Sequence, residues 1–443
     1  MKHQNRVQPN IINRGSSFSN TNRHFFSPSV SGRFYQLLFL LLLVFAFTRC
    51  GIFKDNTAVI WTDHYEIANI IELYNATHED YQVILKFKHN AGAALKNETD
   101  ETPDLVVDSN LWNSEVKDAF IPLNSIFEEE KLNSEIFYQN LLDRCRFSEE
   151  KILMLPVSFN LGGIMFKRST LQQSSKTFIF SLEELMKTAK QFNSFSRERF
   201  YKIGFSPLWS NQFIYFSSKL FDTNFHEKTN SLVWNESSLN KSMSFLSSWI
   251  KSANRSLSLD FQFTNRYLYY PAYQLINNER IQFSFTTIRD FFTIPEGKRN
   301  GMELSWIARN DTIPVQDDVL LVGIPIQASS KEAAKNFLIW LYQEKTNKEI
   351  LEKIQNQDIR TFGIAGGFSA LPAVNERVFP SSYPFLVGNI PPEDFLQFPP
   401  PLPLGWKDMR QKAVLPYLER RLKDKDPPDL NAFIEGWNKQ RGK

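Results

Sequence analysis

The stretch Ile152–Phe166, ILMLPVSFNLGGIMF, constrains this chain more than any other. One apolar run stops at Pro156 and a second begins at Leu161. Proline has no N–H for a sheet ladder and sits poorly in the middle of one, and Gly162 and Gly163 add backbone freedom just beyond it. These residues fit an ordinary buried strand with a bend, or a strand that leaves one sheet and enters another. The second reading gains from Val319–Ile326, VLLVGIPI, which has the same character about one lobe's length further on. With 443 residues the chain is long enough for two cores, so two such crossings imply two lobes joined at a hinge.

The front end differs from the rest. Lys2, Arg6, Arg14, Arg23, Arg33 and Arg49 are its six basic residues, with no acid among the first 50. Residues 1–33 are polar and have the composition of a disordered segment. Leu37–Phe47, LLFLLLLVFAF, is an apolar run short of the ~20 residues of a membrane span, and a basic leader before such a run reads as a secretory signal. Without those six, 45 of the 51 basic residues face 48 acidic ones. The whole-chain charge of +3 therefore gives no argument for nucleic acid, and no basic cluster with interleaved aromatics occurs. Cys50 follows the run in Phe47-Thr48-Arg49-Cys50-Gly51, which resembles a bacterial lipobox, with Arg49 and Phe47 in place of the usual small residue and leucine. Lipidation, plain cleavage and an uncleaved anchor all remain open. If Cys50 is acylated, Cys145 is the only other thiol and no intrachain disulfide forms.

Beyond the leader, strand-like and helix-like runs alternate. Thr57–Trp61 is a buried strand. Asp63 with Glu66 opens a helix striped by Ile67, Ile70, Ile71 and Tyr74. Tyr81–Lys88 and Leu105–Val107 follow as strands. Such an order predicts right-handed crossovers and a parallel sheet, with ligand beyond the carboxyl ends of the strands. That places Trp61 and Asp63, and then Asn110 and Trp112, on the rim of one cleft. Ser181 with Glu184, Ser329 with Glu332, and Thr346 with Glu349 read as capping boxes of later helices. Ile203–Ser210 reads as a strand running into a loop that carries Trp209. Phe261–Tyr273 is dense in aromatics. Ile281–Phe285 alternates before a loop with Thr287 and Arg289, and Gly363–Leu371 reads as a third crossing.

Taken together, AVIWTDHYEIANIIELYN, PDLVV followed by LW, LPVSFNLGGIMF, DDVLLVGIPIQASSKEAAKNFLIWLYQ and GGFSALPAVNE resemble the bacterial extracellular solute-binding proteins of family 1, the sugar-type receptors of ABC importers. No single motif is specific; their order and spacing over residues ~57–380 carry the likeness. The resemblance implies an α/β, two-lobed periplasmic-binding-protein fold of class II, the Venus-flytrap type. Each lobe is then a doubly wound sheet, with extra helices at the C-terminal end. It implies a leader over 1–50, a first lobe from 51–158 and 319–362, and a second from 159–318 and 363–443. A small ligand, a sugar or oligosaccharide, would sit between the lobes. The partners would be permease subunits and, through lipid on Cys50, the outer face of the cell membrane, with the protein a monomer.

The candidate ligand contacts are Trp61, Asp63, Asn110, Trp112, Phe159, Asn160, Trp209, Tyr269, Thr287, Arg289, Gly367, Phe368 and Ser369. Aromatic faces and hydrogen-bonding side chains suit a hydroxyl-rich ligand. Several of them have equal structural readings: Trp61 as core, Asp63 as helix cap, and only one of Tyr269 and Tyr270 facing inward if they lie on a strand. No G-x-S-x-G, H-E-x-x-H, phosphate loop or dinucleotide fingerprint occurs, and the six histidines are scattered. A binding protein without cofactor or metal is therefore expected rather than an enzyme. A secreted carbohydrate-active enzyme and a structural surface lipoprotein are the alternatives.

Overall fold

The computed structural model describes residues 56–97, 101–109, 111–128, 131–148, 151–171, 179–424 and 429–441. The leader with Cys50, and Asn110 on the expected rim, lie outside the described residues. Ten strands among the described residues build two larger sheets. In chain order they are β1 (Thr57–Thr62), β2 (Gln82–Phe87), β3 (Leu105–Asp108), β4 (Leu155–Phe159), β5 (Gly162–Lys167), β6 (Ile179–Phe180), β7 (Phe283–Thr287), β8 (Met302–Ile307), β9 (Leu320–Gly323) and β10 (Phe368–Ser369).

The first sheet has the order β10-β4-β9-β3-β1-β2. β1 runs parallel to β2 and β3, as the strand–helix–strand pattern requires. α1 (Ile67–Thr77) buries its Ile67, Ile70, Ile71 and Tyr74 stripe. All four residues of β3 are buried, as for a strand covered on both faces. β9 returns antiparallel to both β3 and β4. Its register against β4 shifts between Leu320 and Leu321, opposite Pro156–Ser158, where proline supplies no donor.

The second sheet has the order β7-β5-β8-β6, with β5 antiparallel to β7 and β8. Only Asn160 and Leu161 separate β4 in one sheet from β5 in the other, so the chain changes sheets between Pro156 and Gly163; the first run does not stop at Pro156, however, since β4 continues through the proline to Phe159. Backbones approach closely there: a Cβ at Gly163 would lie 2.7 Å from the Ser305 carbonyl oxygen. Alternate β5 side chains go to different cores, as the period of a strand dictates. Met165 joins the cluster around the first sheet, and Ile164 and Phe166 join the one around the second. That second cluster also takes Phe213 and Phe216 of α2 (Asn211–Leu220).

The Gly363–Leu371 segment sits elsewhere than in the sequence reading. It is a tight turn, with φ of +58° at Gly363 and +82° at Gly366, followed by β10, which pairs with β4 in the first sheet. Passage to the second core comes later, between Phe398 in the first cluster and Leu402 in the second, along Pro399–Pro401. Prolines have no N–H to satisfy, so this run crosses without a sheet partner.

Of the expected capping boxes, Ser181 with Glu184 forms fully. Asp63 caps nothing, since its carboxylate turns to other partners described below. Ser329 and Ser330 instead donate their N–H groups to Asp104 Oδ1 at 2.8 and 2.7 Å. This buried carboxylate, which also accepts from Val59 N–H at 2.9 Å, ties β1 to the start of helix Lys331–Leu341. Thr346 is buried inside helix Glu344–Asn356 rather than capping it. Among the described residues no helix is long and apolar enough to cross a membrane.

Candidate functional site

The two cores face each other across a cleft. One wall comes from Ser109 and Trp112, on the loop after β3, with Arg144 and Cys145 at the end of helix Gln139–Asp143. Tyr215 and Lys219 of α2 form the other, with Asp222 and Phe225 just beyond; Asp317 lies at the base and Pro399–Pro401 run along it. The prolines divide the space. About 50 Å³ lies beside Trp112, about 250 Å³ between Arg144 and Lys219, and about 210 Å³ at the mouth by Lys117 and Glu227. At the mouth the Ser114 N–H and hydroxyl donate to the Glu227 carboxylate at 2.9 and 2.6 Å. The Glu227 N–H in turn donates to the Pro401 carbonyl at 2.8 Å.

Asp317 is the electrostatic centre of the base. Lys219 Nζ reaches its Oδ1 at 2.6 Å, while the Tyr215 hydroxyl, Trp406 Nε1 and Arg410 Nη1 reach Oδ2 at 2.6, 2.9 and 3.3 Å. Burial alone would raise its pKa. The charges of Lys219 and Arg410, with the hydrogen bonds from Lys219 and Tyr215, outweigh that and hold it at about 2. Both oxygens are thereby occupied, and Asp317 fixes the cleft floor rather than offering an acceptor to a ligand.

A second cluster closes the hinge side. Arg289 donates from Nε to the Gly366 carbonyl at 2.9 Å and pairs through Nη1 with Asp318 Oδ2 at 2.9 Å. Desolvation would lower its pKa, but Asp318 and Glu66 outweigh this and raise it. A third cluster lies on the β1 rim. Asp63 Oδ2 meets Lys407 Nζ at 3.2 Å, and Asp63 Oδ1 lies 3.4 Å from His64 Nε2. Asp63, His64 and Asp108 each place one ligand-type atom within 4.8 Å of the others, a set that could hold a cation; Lys407 already balances Asp63 there.

Of the expected contacts, Trp112 is half-buried and lines two of the three spaces, and Asp63 faces the opposite lobe through Lys407. Asn160, Thr287 and Arg289 come together at the first crossing. Asn160 Oδ1 accepts from the Leu161 N–H at 3.0 Å and the Arg289 N–H at 3.4 Å, and Thr287 caps helix Ile288–Thr293.

The others are packed or remote. Trp61 is fully buried in β1, with Lys88 Nζ 4.7 Å from its ring centre. Phe159 stacks on Phe368 and meets Phe398 edge-on. Gly367 packs so closely that a Cβ would lie 2.5 Å from the Phe159 carbonyl oxygen, and the Ser369 hydroxyl bonds Asn347 Oδ1 at 3.1 Å. Trp209 lies on a 3-10 turn, not after a strand, and stacks on Phe263 with ring centres 5.9 Å apart. Tyr269 sits on a turn between two helices, not on a strand, and is 91% exposed. Neither borders the cleft spaces.

Sequence reasoning missed Arg144, Tyr215, Lys219, Trp406, Lys407 and Arg410. For Trp406 and Arg410 a signal existed: they are four apart in a helical run just after the proline stretch, and so share a face. Isolated charges such as Arg144 and Lys219 carry no such mark.

No protein-family model matches the chain, and no curated protein matches it in sequence. Solved structures match it in fold. CpMnBP1 with mannobiose bound is 12% identical, with a TM-score of 0.60 over 86% of this chain and 99% of that one. The ABC substrate-binding protein Lmo0181 from Listeria monocytogenes, in complex with cycloalternan, is 13% identical, with a TM-score of 0.58 over 87% and 99%. Maltose-bound MalE3 of T. maritima is 13% identical, with a TM-score of 0.58 over 87% and 98%. At such identities the likeness shows the two-lobed α/β fold, which the two sheets and the crossing at Asn160-Leu161 display directly.

Proposed function

We propose that this chain is an extracytoplasmic receptor that binds a carbohydrate between its lobes and delivers it to an ABC importer. The observation that carries this reading is the cleft itself, walled by Ser109, Trp112 and Arg144 from one core and by Tyr215 and Lys219 from the other. A ligand seated there contacts both walls only when the lobes are closed, so binding draws the hinge equilibrium toward closure. The fold it shares with structures solved around mannobiose, cycloalternan and maltose supports a sugar as the ligand. Trp112 serves as the aromatic platform and Asp63 as a rim acceptor, released from Lys407 when ligand arrives.

Lobe boundaries are adopted with one change: residues 363–398 go with the first lobe, and the third passage falls at Pro399–Pro401. Lipid on Cys50 holds the receptor at the outer face of the cell membrane, where permease subunits of the importer receive the ligand. The chain acts as a monomer and catalyses no reaction.

Titration calorimetry against a panel of mono- and oligosaccharides tests the reading, with X-ray scattering of the same samples. Saturable binding with a fall in radius of gyration is expected. Absence of binding across the panel, or sugar hydrolysis without a stable bound state, overturns it. Cys50→Ser is expected to release the protein from membranes, and its retention there would point to an uncleaved anchor.

A further inference from the structure

Among the described residues, the cations around the cleft are matched, with one exception. Lys219 and Arg410 serve Asp317, Lys407 serves Asp63 and Arg289 serves Asp318. Arg144 lines the two inner spaces, is open to solvent from the cleft, and its guanidinium makes no hydrogen bond or ion pair with a described residue. Its surroundings desolvate it, which draws its pKa below the usual arginine value. Asp317 shares both spaces, yet its two oxygens already hold four donors. The other carboxylate on the wall is Asp222, on the exposed side of α2's end.

A cleft-lining guanidinium without a partner among the described residues is matched best by an oxyanion, which its planar fork can bind through two parallel hydrogen bonds. Asp222 and Asn224 border the same space and suit hydroxyl donors on the far side of a ligand. A cavity of about 250 Å³ is also small for a site, below the ~300–1,000 Å³ of pockets for drug-sized ligands. We infer that the cleft takes a short sugar carrying an oxyanion, a uronate-type carboxylate seated on Arg144 with ring hydroxyls toward Asp222 and Asn224. This rests on the receptor reading above and narrows its ligand class.

Calorimetry of the full chain with digalacturonate, glucose 6-phosphate, inorganic phosphate and neutral mannobiose tests it, in wild type, Arg144→Gln and Arg144→Lys. Digalacturonate is expected to bind at least about tenfold more tightly than mannobiose, as a charge-assisted hydrogen bond implies. That advantage should vanish in Arg144→Gln and return in part in Arg144→Lys, with the melting temperature unchanged. Preference for glucose 6-phosphate with the same Arg144 dependence supports the oxyanion and corrects its source to phosphate. Mannobiose binding as tightly as digalacturonate, or an acid preference that survives Arg144→Gln, overturns the inference and leaves the receptor reading standing. Inorganic phosphate matching the sugars overturns it as well, since the site then reads an anion alone. If no sugar of either kind binds, both readings fall.

Discussion

Lys407 Nζ lies 3.2 Å from Asp63 Oδ2 although 344 residues separate them in the chain. Asp63 directly follows the first strand of one sheet, and Lys407 follows Trp406, which packs in the core around the other. The pair therefore spans the cleft, alongside the bonds from Ser114 to Glu227 at the mouth. Such a contact favours the closed arrangement by a small amount and can be released when a ligand replaces it.

Lys407→Met removes that contact. Because the ammonium is largely exposed, the expected loss is under about 1 kcal/mol. The consequence is a shift in lobe population rather than unfolding. Small-angle scattering of the ligand-free protein should show a larger radius of gyration, with the melting temperature moved by little.

Asp317 makes stability depend on acid. Its folded pKa of about 2 lies below the ~3.9 of a free aspartate. Its contribution is thus fully present above pH ~5 and is lost as pH falls through 4 toward 2. By linkage that contribution is about 2–3 kcal/mol. Urea unfolding at pH 7, 4 and 2.5 should show wild type losing most of this amount. Asp317→Asn should be weaker at pH 7 by about 3 kcal/mol or more, since Lys219 and Arg410 are then left facing each other, and should show a flatter acid limb.

Two of the three tryptophans first read as ligand contacts, Trp112 and Trp209, are expected to separate. Trp112→Ala should weaken sugar binding by about 1 kcal/mol or more and cost less stability than Trp209→Ala, because its ring lines the cleft spaces whereas Trp209 stacks on Phe263. Trp209→Ala should cost about 2–3 kcal/mol of stability through lost packing on Phe263 and Phe205, with affinity unaltered. Calorimetry and denaturant unfolding on both variants distinguish the two roles.

Gly366→Ala tests the hinge side. Its φ of +82° disfavours any Cβ, and that atom would lie 2.8 Å from Arg289 Nε and 2.9 Å from Glu66 Oε1. Backbone strain alone is worth about 1–3 kcal/mol. Thermal unfolding should show a loss of that order, and displacement of Arg289 from Asp318 should alter affinity in the same variant.

The order of elements and the first crossing were legible from residues alone. An apolar run, a proline without a donor, and paired glycines where backbones touch can be read without neighbours. The β1–α1–β2 unit was equally plain, since a helix stripe and strand runs are local patterns. Trp112, which follows a strand end by a short loop, does line the cleft, and Asp63 lies on the β1 rim. Local pattern left Trp61 open between core and cleft and did not show that Phe159 turns into a core, because a strand's two faces look alike until the sheet's layers are in place.

The residues alone were enough to place a change of sheets between Pro156 and Gly163 and a parallel β1–β2–β3 unit, because backbone donors and apolar periodicity are properties of short segments. Only the tertiary structure decided that Pro399–Pro401, not the glycine turn at 363–367, carries the last passage between cores. It alone decided, too, that Lys219, Tyr215, Trp406 and Arg410 meet on Asp317. Charges attract through space and not along the chain, so four donors from two distant helical segments leave no local mark of the carboxylate they share.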